Sequence, residues 1–237
     1  MKSSPDIREA PFSVLVKSSP ELAELRAEYA EHTPTARRNA AEFIYSASAA
    51  DDLLQRAGLG LGNEDPVRGL LDSLAIDPDF PPALLAVGSV EYQLGRINEA
   101  MALFLHLTSL PAATEDLEEI IEKAASCLND AGDFALAERL YRAAVAEFPD
   151  HASYHGGLGY CASKLGRKGE ALGHARKAVE LDPTNPELVG DLGWSLIENK
   201  QYPEAEACLL KASAMAPGQT MAEKNLVYLR KLLKEPS

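Results

Sequence analysis

The chain has 237 residues, 46% of them hydrophobic but only 6% aromatic, with 23 Lys and Arg set against 36 Asp and Glu. That is apolar material enough for one elongated domain or two small ones, and its Ala- and Leu-rich mixture favours helices over strands. A net charge of −13 repels phosphate backbones and anionic lipid, so nucleic acid and membrane surfaces are excluded as expected partners.

The N-terminal stretch "MKSSPDIREAPFSVLVKSS" lacks the continuous apolar segment of a secretion signal. No apolar run approaches the length of a membrane span. Within residues 1–16 the segment "PFSVLV" has three open fates: packing on the rest of the chain, adding to a partner, or disorder. "SSPELAELRAEYAEH" reads as a helix, with Ser19 as its N-cap and Pro20 at its first position. The spacing therefore predicts an N-terminal segment, 1–46, that carries one helix and can dock on the remainder of the protein. The stretches "ARRNAAEFIYSASAADDLLQRAG" and "NEDPVRGLLDSLAIDPDF" read as a helix pair ending near Pro78, a degenerate repeat at about 47–80.

From residue 81 onward the chain repeats itself with a period of 34. Ala137, Ala171 and Ala205 are 34 apart, as are Ala144, Ala178 and Ala212, and Pro149, Pro183 and Pro217. Leu158-Gly159 returns as Leu192-Gly193. The blocks are 118–151, 152–185 and 186–219. An upstream block, 81–114, carries Val87-Gly88, Leu94-Gly95, Ala100 and Phe104 in the same phase. Each block divides into two helical patterns. In 152–185 Gly166 ends the first helix and Pro183 blocks continuation of the second. Small residues such as Gly159, Ala171 and Ala178 allow close helix approach. Residues 220–234 repeat the first-helix pattern as a capping helix, with Leu226 and Val227 at packing positions and Lys224, Arg230, Lys231 and Lys234 on a solvated face.

This small-small-Pro pattern, in phase over 81–219, resembles the tetratricopeptide repeat family. The resemblance implies an all-α, right-handed superhelical solenoid of helix-turn-helix repeats. The repeat domain then spans 47–234. One departure is that the fourth position, often Trp in the family, holds Leu84, Ile121, His155 and Val189. The resemblance also implies a concave groove lined by positions 2, 5, 6, 9, 12 and 13 of each first helix. Those positions include Tyr92, Glu122, Lys123, Ser126, Asn129, Gly156, Gly157, Tyr160, Gly190, Asp191, Trp194, Asn225 and Tyr228. The chain's single tryptophan thus falls in the groove, with Gly156, Gly157 and Gly190 leaving space for a close-lying partner backbone. Two alternatives stay open: the aromatics pack on one another, or the N-terminal segment fills the groove.

The expected function is protein–protein interaction, an adaptor or scaffold holding a partner segment. Groove acids outnumber groove bases, so the segment should have apolar anchors and some positive charge. A secretion-type chaperone of the same family and a self-associating scaffold are the other readings. The family's carboxylate clamp is missing in both registers: Leu85, Ser89, Lys123, Ser153 and Gly157 in one, Glu122, Ser126, Gly157, Glu187 and Asp191 in the other. No phosphate loop or nucleophile elbow suggests an enzyme. His151 and His155 lack further ligands, so neither a metal nor a cofactor is expected. Cys127, Cys161 and Cys208 form no CxxC pair and read as reduced, buried thiols of a cytoplasmic protein.

Overall fold

The computed structural model describes residues 10–56, 66–218 and 220–234. Among these there are thirteen helices and no strand. They fall into two compact units that divide between Ala124 and Ala125.

The first unit opens with α1 (Phe12–Ser18), α2 (Pro20–Ala30) and α3 (Pro34–Arg56), followed by α4 (Pro66–Ile76), α5 (Pro81–Gln93) and α6 (Ile97–Thr108). Four of these six begin on proline, whose fixed φ and missing N–H suit the first helical turn. Ser19 caps α2 by accepting the Leu22 N–H at 3.4 Å, and Thr33 accepts that of Ala36 at 3.2 Å. Residues 10–46 thus hold α1, α2 and the first half of α3 where the sequence suggests one helix, because Pro20 and Pro34 each restart the helix after a polar cap. Leu22, Leu71, Leu74, Phe80, Leu84 and Phe104 form the buried core. "PFSVLV" lies against this unit. The Phe12 N–H donates to the Glu91 carboxylate at 2.6 Å, Arg96 donates to the same group at 3.1 Å, and Leu15 is buried. A wholly buried carboxylate needs such donors to offset its lost hydration.

The boundary between units falls inside α7 (Leu117–Asp130). The second unit continues with α8 (Phe134–Glu147), α9 (Ala152–Lys164), α10 (Lys168–Leu181), α11 (Pro186–Glu198), α12 (Tyr202–Met215) and α13 (Thr220–Leu232). The sequence period becomes geometry here. α8, α10 and α12 start 34 residues apart, and so do α9, α11 and α13. Each turn after a first helix is closed in the same way. Gly166 N–H donates to Ser163 and Arg167 N–H to Ala162; Lys200 and Gln201 donate likewise to Ile197 and Leu196. This pair of hydrogen bonds satisfies carbonyls that the helix end would otherwise leave open, and it requires a left-handed residue. Gly132 and Gly166 supply that conformation at φ 83° and 80°, and Lys200 adopts it at 61° despite its side chain.

Pairing within each repeat depends on small residues. A Cβ on Gly159 would meet the Ala171 carbonyl at 3.3 Å, and one on Gly193 would lie 2.7 Å from Leu209. Ala137, Ala171, Ala205 and Ala212 have no exposed surface. The capping helix differs from expectation at one position. Leu226 is buried, but Val227 is 68% exposed, and Ala222 and Leu229 complete the packing instead. Val227 stands one repeat after Gly193. The face that Gly193 turns toward α12 has no following helix to meet in α13 among the described residues.

Candidate functional site

The first helices α9, α11 and α13 line a cleft of about 430 Å³ in the second unit, and α10 contributes to it. Ala175 and Ala178 of α10, with Leu188 of α11, give it an apolar floor. Gly156, Gly159, Tyr160, Ser163 and Lys164 come from α9, Asp191, Trp194 and Ser195 from α11, and Met221 and Asn225 from α13. A shallower hollow of about 370 Å³ holds Glu187 and Gly190 and shares Asp191, Met221 and Asn225.

Tyr160, Trp194 and Tyr228 occupy the same register in successive first helices. Tyr160 is 44% and Tyr228 48% exposed, and Trp194 is half-buried against the core of α11 and α12. The Trp194 and Tyr228 rings lie 5.8 Å apart, while Tyr160 meets Phe134 edge-on at 6.0 Å. Lys164 Nζ stands 5.1 Å from the Tyr160 ring centroid, a cation over a π face. Ser163 donates to Glu198 at 2.6 Å. Asp191 lies among crowded walls although its residue surface stays open to the cleft. Lost hydration pushes its carboxyl up to about 6, and the like charge of Glu187 adds to this.

Of the residues singled out from the sequence, the structure gathers Gly156, Tyr160, Asp191, Trp194 and Asn225 around this cleft, with Gly190 in the adjoining hollow and Tyr228 against Trp194. Gly157 does not leave room for a partner. The Tyr141 ring occupies the space where its Cβ would be, and Leu188 lies 2.8 Å from the Cβ position of Gly156. The Gly-Gly pair is therefore explained by packing inside the chain. Asn129 is turned inward, accepting from the Cys161 thiol at 3.4 Å. Ser126 is exposed on α7. Tyr92, Glu122 and Lys123 belong to the first unit, where Lys123 pairs with Glu119 at 2.6 Å.

The reactive residue types are tied into the scaffold. Cys161 is fully buried, and desolvation pushes its thiol up to about 12, far from a nucleophilic thiolate. His155 donates to the Pro149 carbonyl at 3.0 Å, and the His151 ring stacks on Tyr154 at 3.9 Å. Among the described residues there is no group of three His, Cys, Asp or Glu side chains suited to a metal, and no helix long and apolar enough to cross a membrane. Sequence pattern alone missed the alanines of α10, because a second-helix residue reaches the cleft only where the small side chains of α9 and α11 leave it uncovered.

Two family models, each described as a tetratricopeptide repeat, match residues 128–186 and 169–223. The chain is 34% identical over 109 residues to "Protein SGT1 homolog" of Oryza sativa subsp. japonica, covering 46% of this chain and 29% of that protein. It is 26% identical over 194 residues to a TPR repeat-containing protein of Pseudomonas aeruginosa, covering 67% of this chain and 33% of that one. The chain thus spans about a third or less of the curated relatives it matches. Among solved structures, the fragment "MamA 41-end" from Desulfovibrio magneticus RS-1 shares the fold with a TM-score of 0.51 and 20% identity, covering 76% of this chain and 96% of that one.

Proposed function

We propose that this chain, which belongs to the tetratricopeptide repeat family, is an interaction adaptor that holds a segment of another protein in the cleft of its second unit. One observation carries this reading: three consecutive first helices present Tyr160, Trp194 and Tyr228 in register along one surface that remains partly open. Exposed aromatics of this kind favour interfaces, because each brings a large rigid contact area at little cost in side-chain entropy. The floor of Ala175, Ala178 and Leu188 accepts apolar anchors.

The test compares wild type with the double variant Tyr160→Ala, Trp194→Ala. Affinity capture read by mass spectrometry should lose a specific partner from the variant while circular dichroism shows its helices intact. Retention of every partner refutes the cleft as the binding surface. Light scattering at several concentrations separates self-association from adaptor binding: if mass rises with concentration and the double variant abolishes that rise, the occupant is a second copy.

A further inference from the structure

The internal repeat allows two neighbouring registers to be compared atom type by atom type. In repeat 152–185 the aromatic residue is Tyr160, and Lys164 of the same helix puts its ammonium 5.1 Å from that ring. One period later Tyr160 becomes Trp194 and Lys164 becomes Glu198. Gly157 becomes Asp191. The second register therefore has a stronger cation-binding ring and an added carboxylate. Its own cation has been replaced by an acid, and that acid is already engaged by the Ser163 hydroxyl.

The Asp191 carboxylate makes no hydrogen bond or ion pair with any described residue. Several other charged side chains of the unit are paired. Arg142 and Arg167 bind Glu138 and Glu170, Arg176 binds Glu204, Lys177 binds Glu180, and Arg230 binds Glu206. The groups facing Asp191 can be named element by element. Its own helix supplies Glu187, a like charge. α9 supplies Tyr160 and Lys164, the latter held over the tyrosine ring; α13 supplies Asn225 and the exposed Lys224; α10 supplies only alanines. Neither lysine forms an ion pair with the carboxylate, which lost hydration and the like charge of Glu187 push up. Asp191 and Trp194 are three residues apart on α11, so their side chains neighbour one another on a single helix face.

We propose that Asp191 and Trp194 form the seat for a lysine or arginine side chain of the bound segment, the cation pairing with the carboxylate and lying against the indole. The inference rests on the adaptor reading and specifies its partner. The bound segment carries a basic residue flanked by apolar ones, the latter packing on Leu188, Met221 and the alanine floor. Charge in a walled concavity attracts its counter-ion more strongly than the same charge on a flat surface. Guest binding also brings a positive charge beside Asp191, which holds its carboxyl ionised.

The only tryptophan of the chain is the reporter. A capped pentapeptide with arginine between two leucines is titrated against the full chain, and Trp194 emission is followed. Its counterparts with glutamine and with glutamate at the central position serve as controls. The arginine peptide should bind about tenfold more tightly than the glutamine peptide, as expected for one charge-assisted contact, and the glutamate peptide most weakly. Asp191→Asn should erase the preference for arginine, with helicity unchanged, and Asp191→Lys should reverse it toward glutamate. Lowering the pH from 7.5 to 5 protonates Asp191, so arginine affinity falls in wild type and stays level in Asp191→Asn. Equal binding of the arginine and glutamine peptides overturns the cation seat while leaving the adaptor reading in place. Failure of all three peptides to alter Trp194 emission overturns both.

Discussion

Glycine has three different meanings within a few residues of the cleft, and only the surroundings of each Cα separate them. The Cβ position of Gly157 is filled by the Tyr141 ring, that of Gly156 is approached by a flexible leucine methyl at 2.8 Å, and that of Gly190 touches only Ala212 and Ala222 at 3.9 Å. Helix propensity favours alanine over glycine at all three by about 0.5–1 kcal/mol. At Gly190 nothing opposes that gain, so Gly190→Ala should stabilise the fold by about that amount. At Gly157 the aromatic ring must move, and overpacking of this kind costs about 1–3 kcal/mol. Gly157→Ala should therefore lower the urea midpoint while Gly190→Ala raises it. A shift of the same sign in both would show that the Tyr141 ring does not hold its place.

At the scale of the element, the second helices are bound to one another by acid–base pairs that repeat with the sequence. Arg142 meets Glu170 at 2.5 Å, and 34 residues later Arg176 meets Glu204 at 2.9 Å. The two pairs differ in setting. Arg176 and Glu204 are both about half exposed, whereas Glu138, only 12% exposed, joins Arg142, Arg167 and Glu170 into a closed ring. Hydrogen bonding from Arg167 holds the Glu138 carboxyl below its ordinary value, with Arg142 adding to this and burial opposing it. A lowered carboxyl favours the folded state at neutral pH, and that benefit is lost as pH falls through its folded-state value. A double-mutant cycle on Glu138 and Arg167 should give a measurable coupling at pH 7 that fades in acid, because the Glu138 carboxyl is largely shielded from solvent. The same cycle on Arg176 and Glu204 should stay below about 1 kcal/mol and weaken with salt. Equal couplings at the two places would mean that closing the ring adds nothing.

For the whole molecule, 36 acids against 23 bases leave a net charge of −13. Local pairing cannot cancel an excess of one sign, so the folded chain repels itself through solvent. Salt screens that repulsion over a Debye length of about 8 Å at physiological ionic strength. Thermal unfolding should accordingly shift upward by a few degrees between 10 and 150 mM salt on the scale of a ~1 kcal/mol effect. A downward shift would show that the surface ion pairs outweigh the net repulsion. The same excess favours basic partners over acidic ones, in keeping with an unpaired Asp191 in the cleft.

The amino-acid sequence alone determined the helical class, the period of 34, the turn positions and the register of Tyr160, Trp194 and Tyr228. All of these follow from local rules: a small residue where helices touch, a left-handed residue where one ends, a proline where the chain cannot continue. Tertiary structure decided what local rules cannot reach. It turned Asn129 inward to Cys161, filled the space beside Gly157 with Tyr141, exposed Val227 and brought Phe12 to Glu91. Each of these depends on which side chain arrives from another helix, and packing at close range admits one occupant per space. The same reason left Asp191 unpaired: its register is written in the repeat, but the absence of a cation beside it is a property of the folded surroundings.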